Sequence, residues 1–235
     1  RTSNLISRID SILSRGEQFA YDYQNRLISW HGGDAVYDCM GSVSRRCDVG
    51  EYSYTDDEHP YAVTEIRQNT SAIPLRRQSV GYCFAGYPSD IREHNMAAWV
   101  EYDAALNRKC TTIRDLGTKK TFARRYYFGD CYERELRTGV PDEERLYLGG
   151  SSYYDAVAVL LKSGEEQELH YIFRDYLGSI TQLCKEDGTL VQELEYNPWG
   201  VARLSERSPR TDGDSITVTP RIGRGFIGHE HLPYF

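Results

Sequence analysis

The chain has 235 residues, a formal net charge of −7 and a mean hydropathy of −0.61. That length allows one or two domains with a real core; the acidic balance argues against nucleic acid or an anionic membrane as partner, and no apolar run reaches the length of a membrane span. Nineteen Tyr stand against seven Phe, and a ring with a polar tip suits a wall wet on both sides better than a dry interior; composition alone leaves a thin or hollow β-structure and a β-sandwich with Tyr-rich strands both open.

Residues 1–15 read two ways. Leu5, Ile9, Ile12 and Leu13 fall at helical spacing, yet SNLISRID also reads as a strand entering a hairpin. Residues 19–30, FAYDYQNRLISW, form a hairpin pattern: Phe19, Tyr21 and Tyr23 share one strand face, and Gln24-Asn25 reads as a two-residue turn because Asn tolerates left-handed dihedrals. Asp22 and Arg26 flank that turn. The unit recurs. Tyr37-Asp38 precedes Gly41; Tyr52 and Tyr54 alternate before a polar turn; Tyr102-Asp103, Tyr154-Asp155 and Tyr196-Asn197 follow. Recurrence at this scale points to a repeat array in which each hairpin packs on its neighbours.

Residues 1–70 therefore read as hairpins, and 71–96, with Pro74 and Pro88, as an irregular crossover or loop. Hairpins resume over 97–167. Residues 168–203 read as three strands, with Asp187-Gly188 a hairpin signal. Residues 204–220 read as an exposed polar loop, and 221–235 as a short closing segment with an aromatic end. The first residue is Arg and no leader-like segment follows it, which suggests a piece of a longer polypeptide.

These motifs resemble the Rhs/YD-repeat proteins, in particular those with a Bacteroides-type repeat-associated core. FAYDYQNRLISW matches the repeat with Asn25 in the place of Gly, and AVYDCMGSV matches the Tyr-Asp and the Gly. HYIFRDYLGSITQLCKEDGTLVQELEYNPWG is similar to the start of the core, through Asp175, Leu177, Gly178, Ser179, Trp199 and Gly200; RGFIGHEHL is similar to the approach to its end. Asn197 departs from the usual Asp. The family's tyrosine-aspartate-proline motif, near which many members cleave themselves through paired aspartates ahead of a variable toxin tip, does not occur after GHEHLPYF, so no self-cleavage is assigned.

The resemblance implies an all-β fold: irregular antiparallel hairpin repeats forming part of a curved or spiral shell. It favours a strand over residues 1–15. It gives Tyr21, Asp22, Arg26, Tyr37, Asp38, Gly41, Tyr102, Asp103, Asp175, Gly178, Trp199 and Gly200 a structural role in the repeat. It implies a secreted or surface-displayed bacterial protein, not an enzyme, whose shell encapsulates or presents a C-terminal effector. The expected partners are the rest of the parent polypeptide or its effector, with self-association through exposed sheet edges. An alternative is a surface module binding carbohydrate or protein through Trp30, Trp99 and Trp199.

Other chemistry is sparse. His229 and His231 would share a face of a strand and are weak candidates for a metal, short of a third ligand; no cofactor is expected. Asp56, Asp57 and Glu58 lack EF-hand spacing and, like Asp142-Glu143-Glu144, read as solvated turns. Recurring Asp22, Asp38, Asp103, Asp155 and Asp175 suggest paired-carboxylate chemistry, but a residue that returns in every unit is better explained as structural. Ser179 lacks a nucleophile-elbow context. The six Cys show no zinc spacing; Cys39 and Cys47 could meet across a hairpin, but free, mostly buried thiols are expected.

Overall fold

The computed structural model describes residues 4–11, 14–55, 57, 60–61, 63–68, 78–209 and 218–232. Among them the chain is all-β apart from one 3-10 turn at Phe226–Gly228. It forms two units, Arg1–Arg76 and Arg77–Phe235.

In the first unit, β1 (Ser7–Asp10) pairs with β2 (Arg15–Gln18), so the helical spacing of residues 1–15 yields to a hairpin. A six-stranded antiparallel meander follows: β3 (Ala20–Tyr21), β4 (Leu27–Trp30), β5 (Gly33–Tyr37), β6 (Val43–Arg46), β7 (Gly50–Ser53) and β8 (Glu65–Gln68). Trp30 and Ala35 are buried within it.

The second unit is a twelve-stranded meander in sequence order. It comprises β9 (Gln78–Tyr82), β10 (Pro88–Glu93), β11 (Met96–Tyr102), β12 (Arg108–Asp115), β13 (Thr121–Phe128) and β14 (Tyr132–Arg137). It continues through β15 (Glu143–Leu148), β16 (Ala158–Ser163), β17 (Glu166–Arg174), β18 (Ile180–Lys185), β19 (Leu190–Tyr196) and β20 (Ala202–Leu204). Every strand pairs antiparallel with the next.

Side chains alternate across this sheet. Tyr147, Val159, Leu161, Ile172, Ile180 and Leu183 form a core on one face, and residues 218–232 cross that face as a strap that adds the fully buried Ile222. Burying an Ile side chain of this kind contributes roughly 1.5–3 kcal/mol. A smaller cluster joins Ala98, Ile113 and Ala123, with Leu232 of the strap against it. The opposite face carries a row of cross-strand neighbours, Phe128, Tyr132, Leu146, Leu160 and Leu169. Phe128 and Leu146 there are exposed, as are nearby Leu148, Tyr171 and Phe173.

Several sequence expectations are corrected. The stretch 71–96, expected to be irregular, carries β9 and β10; Pro88 is tolerated because it is the first residue of its strand. Residues 69–77 lie outside the described residues. The stretch 204–220 is not a wholly exposed loop: Ser205 and Ser208 are buried. They satisfy the edge of β19, since the Ser205 amide donates to the Glu193 carbonyl and the Glu193 amide donates to Ser208 Oγ, both at 3.0 Å. All six Cys are free, including Cys39 and Cys47, but only Cys110 is buried.

Candidate functional site

The recurrent Tyr-Asp unit builds one turn many times. The Asp22 amide donates to the Arg26 carbonyl, and the Asn25 amide donates to the Asp22 carbonyl, both at 3.0 Å. Asp22 Oδ1 accepts from the amides of Gln24 and Arg26 at 2.9 Å each. Asn25 stands in the left-handed region, φ +64°. The loop is therefore Tyr23–Gln24–Asn25, with a register shift in the flanking strands, rather than a two-residue turn. Tyr23 sits exposed at the tip instead of sharing a strand face with Tyr21.

The same pattern of four hydrogen bonds and one left-handed residue recurs at Asp38, Asp103, Asp175 and Asn197. Each side-chain Oδ1 takes the amides two and four residues on. The residue three on is Gly41, Leu106, Gly178 or Gly200, always with positive φ. Asn197 retains the geometry because an amide oxygen accepts as a carboxylate does, so its departure from Asp leaves the turn intact. Only Gly lacks the Cβ clash of this dihedral region, which explains the Gly of the motif. At Gly200 a Cβ would also meet Phe226 of the strap at 2.7 Å. Cys83 and Lys185 start turns with the same main-chain bonds, closed on Gly86 and Gly188. Tyr154-Asp155 does not: Asp155 instead caps backward, accepting from the amides of Ser151 and Ser152, and these bonds hold its carboxyl below the ordinary range.

The tyrosines link one turn to the next. The hydroxyl of Tyr37 donates to the carbonyl of Leu27, Tyr54 to Val43, Tyr102 to Pro88 and Tyr196 to Ile180, at 2.8–2.9 Å. Each acceptor lies five residues past the first residue of the preceding turn: Asp22, Asp38, Cys83 and Asp175. Tyr21 reaches the Leu5 carbonyl in the same way. These phenols are thus committed to main chain rather than to a wet wall. Arg26 adds a second link, an ion pair with Asp22 at 2.7 Å and a guanidinium 4.5 Å from the Tyr37 ring centroid. Tyr37 is raised above the ordinary phenol value chiefly by burial.

The turn carboxylates are accordingly occupied. Hydrogen bonding from the Asn107 amide is the main cause that lowers Asp103. Asp22 is also lowered: burial opposes this, but the Arg26 and Gln24 amides and the Arg26 guanidinium outweigh it. Neither arrangement resembles a carboxylic acid poised to give up a proton near neutrality. Ser179 is buried, and its Oγ accepts from the Ile227 amide at 3.2 Å.

A buried ionic network, not anticipated from the sequence, lies beneath the strap. Alternation puts Arg125 and Tyr127 of β13, Glu133 and Glu135 of β14, and Glu143 and Arg145 of β15 on the covered face. Arg125 pairs with Glu135, and Arg145 with Glu143 and, at 3.5 Å, Glu135. The strap inserts its own charges. Arg224 binds Glu133 and lies 3.5 Å from the Tyr153 ring centroid. Glu230 receives Arg125, Arg108 at 2.6 Å and the Tyr127 hydroxyl at 2.6 Å. Burial pushes Glu230 upward, yet Arg125, Tyr127 and Arg108 hold it below the ordinary carboxylate value. Glu143, expected in a solvated turn, is buried and also takes Arg137 at 3.2 Å and Arg221 at 3.5 Å. Its neighbours Asp142 and Glu144 are half-buried and face Arg134, and Glu144 lies within β15 rather than in a turn.

The remaining candidates disperse. His229 and His231 do not lie in a strand; only an isolated bridge between Arg224 and Glu230 forms there. His229 is exposed, while His231 donates its amide to the Gly223 carbonyl. Among the described residues no group of three His, Cys, Asp or Glu could hold a metal ion. Asp56 and Glu58 lie outside the described residues. Trp30 is buried, and Trp99 and Trp199 are half-buried, so none of the three offers an open ring. Among the described residues no helix is long and apolar enough to cross a membrane.

No curated protein matches the chain. Solved structures do. The Photorhabdus luminescens Tc holotoxin pore with a mutated TccC3 gives a TM-score of 0.57 at 16% identity over 79% of this chain and 12% of that one. The TcdB2-TccC3-Cdc42 structure gives 0.58 at 14% over 81% and 12%, and TcdB2-TccC3 without its hypervariable C-terminal region gives 0.52 at 15% over 80% and 10%. At these identities the likeness is one of fold, and the chain spans about an eighth or less of their length. The family model of the Teneurin YD-shell matches residues 13–212. With its turns, its tyrosine links and that match over most of its length, the chain belongs to the YD-shell family.

Proposed function

We propose that this chain is a wall segment of a larger Rhs-type YD-repeat protein, secreted or displayed on a bacterial surface, whose shell encloses or presents a C-terminal effector. The carrying observation is the tyrosine link: the hydroxyls of Tyr21, Tyr37, Tyr54, Tyr102 and Tyr196 each tie a hairpin to main chain of the one before it, which supports a wall of successive hairpins rather than a cleft. The exposed row of Phe128, Leu146 and Leu148, with Tyr171 and Phe173, gives that sheet an apolar face of the kind a wall offers to another polypeptide. The acids that recur are committed to turns, which supports a structural rather than a catalytic role. The glycan-binding alternative is weakened because Trp30 is buried and Trp99 and Trp199 are half-buried.

The test is protease protection in the parent polypeptide. Intact protein should shield the segment that follows this wall from a broad-specificity protease, and a variant with Phe128, Tyr171 and Phe173 changed to Ser should expose it. Equal digestion of that segment in intact and variant protein, at the rate of the isolated segment, would refute enclosure.

A further inference from the structure

His170 is the most enclosed titratable side chain left without a role. It is fully buried in β17, and neither ring nitrogen has a hydrogen-bond partner among the described residues. It pairs across the sheet with Val159 and shares a face with Ile172. Both belong to the core that Ile222 of the strap completes. Arg221, next to Ile222, reaches Glu143 on β15 at 3.5 Å.

The charges facing His170 come from three elements. From its own strand, Glu168 places Oε2 3.5 Å from Nε2, too long for a hydrogen bond. From β18, Lys185 takes the other oxygen of Glu168 at 2.8 Å. From the strap, the charge of Arg221 acts on both Glu168 and His170. From β16 the residue opposite is Val159, which carries no charge. The neutral ring fits this place as an apolar group does. A proton would add a third cation to Lys185 and Arg221, with one half-exposed carboxylate among them.

We propose that the strap is a pH-sensitive latch, and that protonation of His170 displaces its entry, residues 218–222, from the sheet. Moving Arg221 away and admitting water relieves both the repulsion and the lack of hydrogen-bond partners. The far end stays fastened, because Arg224 remains on Glu133 and Glu230 on Arg125. Burial also disfavours the charged imidazole, so opening begins below the ordinary His value of about 6.5. The inference stands apart from the shell reading: it concerns the strap and sheet of this chain alone.

The test uses the full chain and hydrogen exchange read by mass spectrometry at pH 7.5 and 5.5, corrected for intrinsic exchange. The amides of Val218, Thr219, Arg221 and Ile222 should lose roughly 10-fold or more of their protection at the lower pH, the shift of one pK unit, while 157–163 holds. His170→Gln should abolish the response. His231→Gln should keep it, although burial also lowers His231 within the strap. Unchanged protection, or a response that survives His170→Gln, overturns the proposal. If His170→Gln does not fold, imidazole resonances of the unaltered chain decide: His170 must titrate together with the strap amides, and a ring still neutral at pH 5, or titrating while those amides stay protected, overturns it equally.

Discussion

The hydroxyl of Tyr196 donates to the backbone carbonyl of Ile180 at 2.8 Å, fastening the end of β19 to the start of β18. The ring is buried against Phe226 of the strap, with centroids 5.7 Å apart. Tyr196→Phe keeps the ring and leaves a buried carbonyl short of its donor. The expected loss is about 1–2 kcal/mol in urea unfolding. A loss below a few tenths of a kcal/mol would show that the link does not stabilise the hairpin pair.

Asp103 and Asn197 hold the same turn with different chemistry. Asp103→Asn should therefore leave the thermal midpoint nearly unchanged, and Asp103→Ala, which takes away the acceptor of the Ala105 and Asn107 amides, should lower it by roughly 2–4 °C. Equal effects of the two substitutions would mean that charge, not acceptor geometry, matters there.

Glu133 is nearly inaccessible and holds Arg224, with Arg145 3.7 Å away. Glu133→Ala leaves buried guanidinium charge without its partner, and the expected cost is about 3–5 kcal/mol. Replacing both partners, Glu133→Leu with Arg224→Met, should cost clearly less than the sum of the single changes. A double-mutant cycle by chemical denaturation measures this, and additive losses would contradict the pairing.

Glu230 has a folded-state pKa below its unfolded one. The unfolded chain then binds the proton more readily, so stability rises with pH across that interval. The contribution is complete above the ordinary carboxylate value of about 4.5 and disappears as pH falls through the folded value. Glu230→Gln should lower stability at pH 7 and flatten its slope in that acidic window; a slope identical to that of the unaltered chain would exclude Glu230 as its source.

Local chemistry was legible in the sequence and distant pairing was not. Tyr21-Asp22, Tyr37-Asp38 and Tyr102-Asp103 declare their turns because the bonds they make lie within four residues. The turn at Cys83 lacks the acid; its trace is Gly86, three residues on, and Gly188 marks Lys185 in the same way. The ionic network was hidden because Arg224 meets Glu133 across 91 residues and Glu230 meets Tyr127 across 103. Its local trace is charge at alternate positions, Arg125 with Tyr127, Glu133 with Glu135 and Glu143 with Arg145, which reads as a solvated strand face until something covers it. The spacing of Leu5 and Ile9 left helix and strand open for the converse reason: both periods fit so short a stretch, and the strand that the resemblance favoured is fixed by pairing with β2.

The distance along the chain from each linking tyrosine to its acceptor is not constant: 10 residues for Tyr37, 11 for Tyr54, 14 for Tyr102 and 16 for Tyr196. What stays fixed is the position of the acceptor relative to the bend before it. Such a chain can lengthen or shorten its arms and still find the next anchorage, so growth of the sheet is indexed by its corners and indifferent to span.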